Sequence, residues 1–171
     1  MYFMGEADLR TAISSSRLIR LLDYWDSRRS GATPPARSDI DPIEIPDLLG
    51  SIALIEAEGV PRRLRYRLVG SDLYEAHGGD MTGRYVDEVL TPELRAVILA
   101  QFAEVLDAGA PRLHRIEIDD SEGNFWRYER LTLPLAGRDG TVVMLLCGYA
   151  DLGGRGFLRL RGERSRSGPR S

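Results

Sequence analysis

Apolar positions recur along the chain with two alternating periods, and the switches between them lay out the elements. Leu18, Leu21, Leu22 and Trp25 fall at i, i+3, i+4 and i+7, with Arg17, Arg20, Asp23 and Asp26 mostly off that stripe. This predicts an amphipathic helix from about Ser16 to Arg29, entered through the Ser14-Ser15-Ser16 hydroxyls and stopped at Gly31. Residues 1 to 13 read as a weakly patterned lead-in. Ile52 to Ile55 is a short apolar run that predicts a first strand. Leu64, Tyr66 and Leu68 then alternate with Arg65 and Arg67, so a second strand runs from Arg63 to Val69 with one buried face.

From Gly70 to Leu90 the period changes again. Leu73 to His77 has room for about one helical turn before Gly78-Gly79. Tyr85, Val86, Val89 and Leu90 suggest another short helix. Thr91-Pro92-Glu93 is a helix start, with a capping hydroxyl, proline at N1 and a carboxylate in the first turn. Leu94, Val97, Ile98, Phe102, Val105 and Leu106 give that longer helix its buried stripe, and Gly109 and Pro111 end it. Three strands follow with short turns between them: Leu113 to Ile118, Phe125 to Leu133 with Pro134 at its end, and Thr141 to Tyr149. They should form an antiparallel meander. The expected fold is α+β: a five-stranded antiparallel sheet with helices over one face, plus an N-terminal helix. Residues 1–50 form the N-terminal helix and Pro-rich connector, 51–152 the main domain and 153–171 a basic flexible tail.

Composition narrows the function classes. Apolar content of 43% and charged content of 29% are those of a globular domain. No apolar run approaches the roughly 20 residues that span a bilayer, and MYFMGEADLR lacks the character of a secretory signal. The expected compartment is the cytoplasm. Cys147 is the only cysteine, which excludes an intrachain disulfide and a thiolate metal cluster. It sits among strand apolars as a small buried hydrophobe. Residues 1–152 carry 17 Arg against 25 acids, while the remaining 19 carry 6 Arg and one Glu. The tail is thus either a solvated end or an electrostatic arm for nucleic acid, which is the alternative function. No GxSxG, P-loop, strand-to-helix GxGxxG or HExxH is present, so no catalytic residue is assigned.

The element order, with Gly83-Arg84 followed by Asp87 and with Leu133-Pro134-Leu135, Asp139-Gly140 and Val142 to Tyr149, resembles the PAS domain over about Ile52 to Asp151. Pro35-Ala36-Arg37-Ser38-Asp39-Ile40-Asp41-Pro42, with Leu48-Leu49, is similar to short standalone bacterial PAS proteins. The resemblance implies a non-catalytic sensory and regulatory domain that takes a small organic ligand, dimerises, or does both, and signals through another protein. Haem-binding PAS sensors carry an axial His on the long helix, and Pro92 to Ala108 has none. Photosensors of the LOV type need a Cys in the short helical segment, and Ser71 to Leu90 has none. Haem and adduct-forming flavin are therefore disfavoured, and no other cofactor is assigned.

Candidate residues follow. Tyr66, Tyr74, His77, Met81, Tyr85 and Phe102, together with Arg127 and Met144, are expected at the cleft, where they either line a pocket or fill the core. Arg127 shares a strand face with Glu129: either that face is buried, where the Arg could grip a ligand carboxylate, or the two form an outward, solvated pair near a sheet end. Leu18, Leu21, Leu22 and Trp25 form either a homodimer seam or packing against the chain's own sheet. His77 can cap its short helix, and His114 has no clustered partner that suggests a metal. Asp119, Asp120 and Glu122 read as hairpin-turn residues.

Overall fold

The structure is a computed structural model that describes residues 6–153, with the side chains of residues 6, 7 and 75 left out. Its frame is one antiparallel sheet of five strands: β1 (Ile52–Glu58), β2 (Arg63–Val69), β3 (Arg112–Asp119), β4 (Phe125–Ala136) and β5 (Val142–Asp151). The spatial order is β2-β1-β5-β4-β3. β3, β4 and β5 form the expected meander, and β1 joins it by pairing with β5, Leu54 opposite Leu146. β4 runs on through Pro134 to Ala136, where Pro35 O accepts a bond from the Ala136 amide.

Alternation along the strands divides the interior into two cores. On one face Ala53, Tyr66, Ile116, Trp126, Tyr128, Leu145 and Cys147 pack under α3 (Ser71–His77), α4 (Val86–Val89) and α5 (Pro92–Ala108). On the other, Leu54, Leu131, Leu133, Leu135 and Leu146 pack against α1 (Glu6–Ala12) and α2 (Ser16–Arg28). The lead-in before Ser14 thus holds a helix that its weak patterning concealed, anchored by Leu9 and Ile13.

Leu18, Leu21, Leu22 and Trp25 are all buried against the chain's own sheet, the second of the two arrangements open to that stripe. Trp25 Nε1 donates to Pro134 O at 2.9 Å, giving its polar atom a buried partner. Gly148 permits the close approach of α2, since a Cβ there would lie 2.8 Å from Leu18 Cδ2. Each buried Leu of this stripe contributes about 1.5–3 kcal/mol by leaving water. Ser15 caps α2 as the hydroxyl run predicts, accepting from the Leu18 amide.

Candidate functional site

The helix-covered face gathers five of the eight expected cleft residues. Tyr66, Met81 and Phe102 are buried in that core, and Tyr74 packs against it. His77, at the end of α3, stacks on Trp126 with ring centroids 4.8 Å apart and planes 19° from parallel. Burial there pushes the His77 imidazole down to about 4, so it is neutral at pH 7.

The other three lie elsewhere. Tyr85 sits at the β2 edge with the Arg63 guanidinium 3.6 Å from its ring centroid, and its hydroxyl donates to Glu58 Oε1 at 2.7 Å. Asp87 receives two donors of Arg63, at 2.8 and 3.2 Å, and the Gly83 amide donates to Tyr66 O. The Gly83-Arg84 and Asp87 step therefore fastens the sheet edge and leaves Tyr85 out of the cleft. Met144 belongs to the opposite core with Leu135 and Leu146, because β5 turns its even residues from 144 to 146 that way. Arg127 is exposed on that same opposite side. Its expected partner Glu129 is buried there and accepts from the Ser14 amide at 3.0 Å and from Ser14 Oγ.

The buried arginine of the helix-covered core is Arg130, one residue beyond Glu129 and on the other face. It has no exposed surface. Its Nε donates to Thr132 Oγ1 at 3.1 Å and its Nη2 to Gln101 Oε1 at 2.6 Å. Its guanidinium carbon lies 4.4 Å from the Phe102 ring centroid, and Nη1 has no hydrogen-bond partner. In register, Arg130 stands between His114 of β3 and Tyr149 of β5. Burial raises the Tyr66, Tyr128 and Tyr149 hydroxyls above the usual phenol range, with Arg130 partly opposing it. Burial likewise pushes the Cys147 thiol up to about 11. These groups are neutral at pH 7. His114 is lowered by burial and then by Arg130; its Nε2 lies 3.3 Å from Glu104 Oε2, and its Nδ1 is unpartnered.

Alternation along β4 carried the missed signal. Trp126, Tyr128, Arg130 and Thr132 form one face, with an arginine among aromatics, and only the wrong parity placed Arg127 there.

A cavity of about 480 Å³ opens where α3, the α4–α5 junction and the β3–β4 turn meet. Its wall includes His77, Thr91, Leu94, Arg95, Asn124 and Trp126. Thr91 precedes Pro92 as expected, yet its hydroxyl makes no capping bond; Thr91 Oγ1 and Arg95 Nε are both buried without partners. Asp120 organises the neighbouring turn, accepting from the amides of Glu122 and Asn124 and from Trp126 Nε1 at 2.7 Å. Hairpin chemistry thus accounts for that acid. Among the described residues no cluster of His, Cys, Asp and Glu is placed to hold a metal, and no helix is long and apolar enough to cross a membrane.

The family described as PAS domain matches residues 13–150, a span that includes α2. No curated protein matches the sequence. Among solved structures, a light-oxygen-voltage domain studied with a flavin analogue aligns at 12% identity over 73% of this chain and 94% of that one, with a TM-score of 0.51. A Rhodobacter sphaeroides LOV protein aligns at 12% identity, 67% and 69% coverage and a TM-score of 0.48. A sensory box sensor histidine kinase from Vibrio cholerae aligns at 17% identity, 64% and 84% coverage and a TM-score of 0.44. At such identities the likeness is one of fold.

Proposed function

Because the chain belongs to the PAS domain family, we propose that it is a non-catalytic sensory module that admits a small organic ligand to its helix-covered core and reports occupancy to another protein. The observation that carries this reading is the cavity of about 480 Å³ beside the first turn of α5 and the start of β4. It has the form of a ligand entrance: apolar walls at Leu94 and Trp126, with polar atoms of Thr91 and Arg95 that have no protein partner. Short elements surround it, α3 of seven residues and α4 of four, and such elements can shift without unfolding the sheet.

A flavin held for adduct chemistry needs a thiol over its ring, and Ser71 to Leu90 supplies none. Cys147 is on β5 in the helix-covered core, and a thiol pushed up to about 11 is a poor source of thiolate. These residues do not fit that group. Haem finds no imidazole on α5, and His114 is turned to Glu104. Association with a second copy or an output protein has to use a surface other than the α2 stripe, which the second core consumes. The nucleic-acid alternative rests on the tail, whose residues 154–171 lie outside the described residues, and gains no support.

Native mass spectrometry of protein purified from its own host, together with thermal shift against a metabolite library, tests the proposal. A retained or stabilising small molecule is expected. Silence in both measurements would remove the ligand from this reading.

A further inference from the structure

Resting on that reading, we infer that the ligand is an organic carboxylate whose anionic end is held by Arg130 in the packed core beneath α5. Arg130 carries a permanent charge with no exposed surface, and its two satisfied nitrogens, Nε and Nη2, meet only neutral acceptors, Thr132 Oγ1 and Gln101 Oε1. Nη1 has no hydrogen-bond partner, and the Tyr128 hydroxyl, which also interacts with this guanidinium, is a neutral group. Among the described residues no carboxylate pairs with it. The acids nearest in register or sequence are already committed. Glu129 points to the opposite core and binds Ser14. Glu104 is held by Arg112 at 2.8 Å and faces His114, and Asp120 is bound within its turn. The tyrosine hydroxyls and the thiol around Arg130 are neutral and supply no counter-charge. An isolated buried guanidinium is costly unless an anion joins it, and a carboxylate suits the donor left open at its edge while Phe102 covers its face.

The same geometry sets the length of the ligand. Trp126 of β4 and Leu94 of α5 line the cavity, and Arg130 and Phe102 sit farther along the same two elements. Four strand residues span about 13 Å and eight helical residues about 12 Å. Tyr128 and Ile98 fill the path between, so entry requires those side chains to turn aside. The ligand class is accordingly a carboxylate on an apolar or aromatic body of about that reach.

The test uses the full chain with benzoate, indole-3-acetate and octanoate, each beside its own amide, read by thermal shift and calorimetry. At least one acid is expected to bind while its amide does not, with Arg130→Gln weakening the acid at least about tenfold, the usual scale for losing a charged hydrogen bond. The acid–amide comparison needs only the wild-type protein, so it decides the question even where the variant folds poorly. Amides that bind as well as acids, or acids indifferent to a folded Arg130→Gln, overturn the carboxylate and leave a neutral-ligand sensor standing. No binding by any of the six, with no mass retained by the protein from its host, overturns both.

Discussion

Glu129 and Arg130 are consecutive residues of β4, neither has exposed surface, and they point into opposite cores. Glu129 binds Ser14 at the junction of α1 and α2, while Arg130 stands over Phe102 of α5. One strand thus reaches toward both helical covers through two adjacent side chains of opposite charge. Each is tied to its own layer, and neither neutralises the other by direct contact.

The carboxylate end of this relationship should be a clamp on the N-terminal helices. Glu129 accepts from the Ser14 amide at 3.0 Å and from its hydroxyl, and Arg115 Nε lies 3.8 Å away while its Nη2 donates to Ala12 O at 2.7 Å. Glu129→Gln weakens these bonds without changing size and is expected to lower stability by about 1–2 kcal/mol. Hydrogen exchange should show the loss concentrated between Leu9 and Leu18. Unchanged protection there would mean that α1 and α2 hold by apolar contact alone.

Gly70 is expected to be intolerant of any side chain. Its backbone angles are ordinary for an extended residue, so the restriction is purely spatial: a Cβ would fall on the carbonyl oxygens of Gly50 and Leu49. The Gly70 amide also donates to Ile52 O at 2.8 Å, fixing the passage from β2 into α3. Gly70→Ala should destabilise by roughly 3 kcal/mol or more, since backbone must move. Gly79→Ala, where nothing lies within 4 Å of the added carbon, is the matched control and should change stability by less than about 0.5 kcal/mol. Urea melts of the two variants check the contrast.

His77 gives the cleft entrance a dependence on pH. Burial against Trp126 lowers its folded value from 6.5 to about 4, so between these limits the unfolded chain binds more protons than the folded one. Stability from this residue is therefore fully present above pH 6.5 and declines as pH falls toward 4, by up to roughly 3 kcal/mol. His77→Phe keeps an aromatic ring on Trp126 and removes the titration. The difference between wild type and variant, measured by urea melts from pH 4 to pH 7.5, should widen with acid; a constant difference would show that the imidazole charges freely in the fold.

Much of this architecture is legible in the sequence because local patterns agree with tertiary ones. The α2 stripe, the Pro92 helix start and the alternating strands all satisfy elementary periodicity, and each element appears within a few residues of its expected bounds. The site is less legible for identifiable reasons. Glu129 and Arg130 are both buried, so charge no longer marks the solvent face of β4, and an odd-for-even choice moved the buried arginine to Arg127. Met144 was misplaced by the same ambiguity, since β5 is apolar on both faces. Tyr85 looked like a cleft aromatic, but two arginines of β2 draw it to the sheet edge. The choice between a dimer seam and a core for Leu18 and Trp25 depended on whether the second sheet face was otherwise covered, which periodicity does not record.

The sharpest consequence concerns the stability of the protein without a ligand. A residue that serves the fold should cost stability when replaced, whereas a buried ion kept for binding should not. Arg130 gains from two neutral hydrogen bonds and from a desolvated stack on Phe102 of about 2 kcal/mol. Against these stands the transfer of an uncompensated guanidinium from water, several kcal/mol even after local relaxation. Methionine matches much of its length, packs against Phe102 and leaves Gln101, which is only half-buried, free to turn toward water. Arg130→Met is therefore expected to raise the stability of ligand-free protein by about 1–3 kcal/mol, the range seen when buried ions give way to apolar side chains. Urea melts at pH 7.5 on protein refolded and dialysed free of small molecules provide the comparison. A loss of 2 kcal/mol or more, on the scale of a core truncation, would identify Arg130 as part of the scaffold and take away the reason for an anion in the cleft.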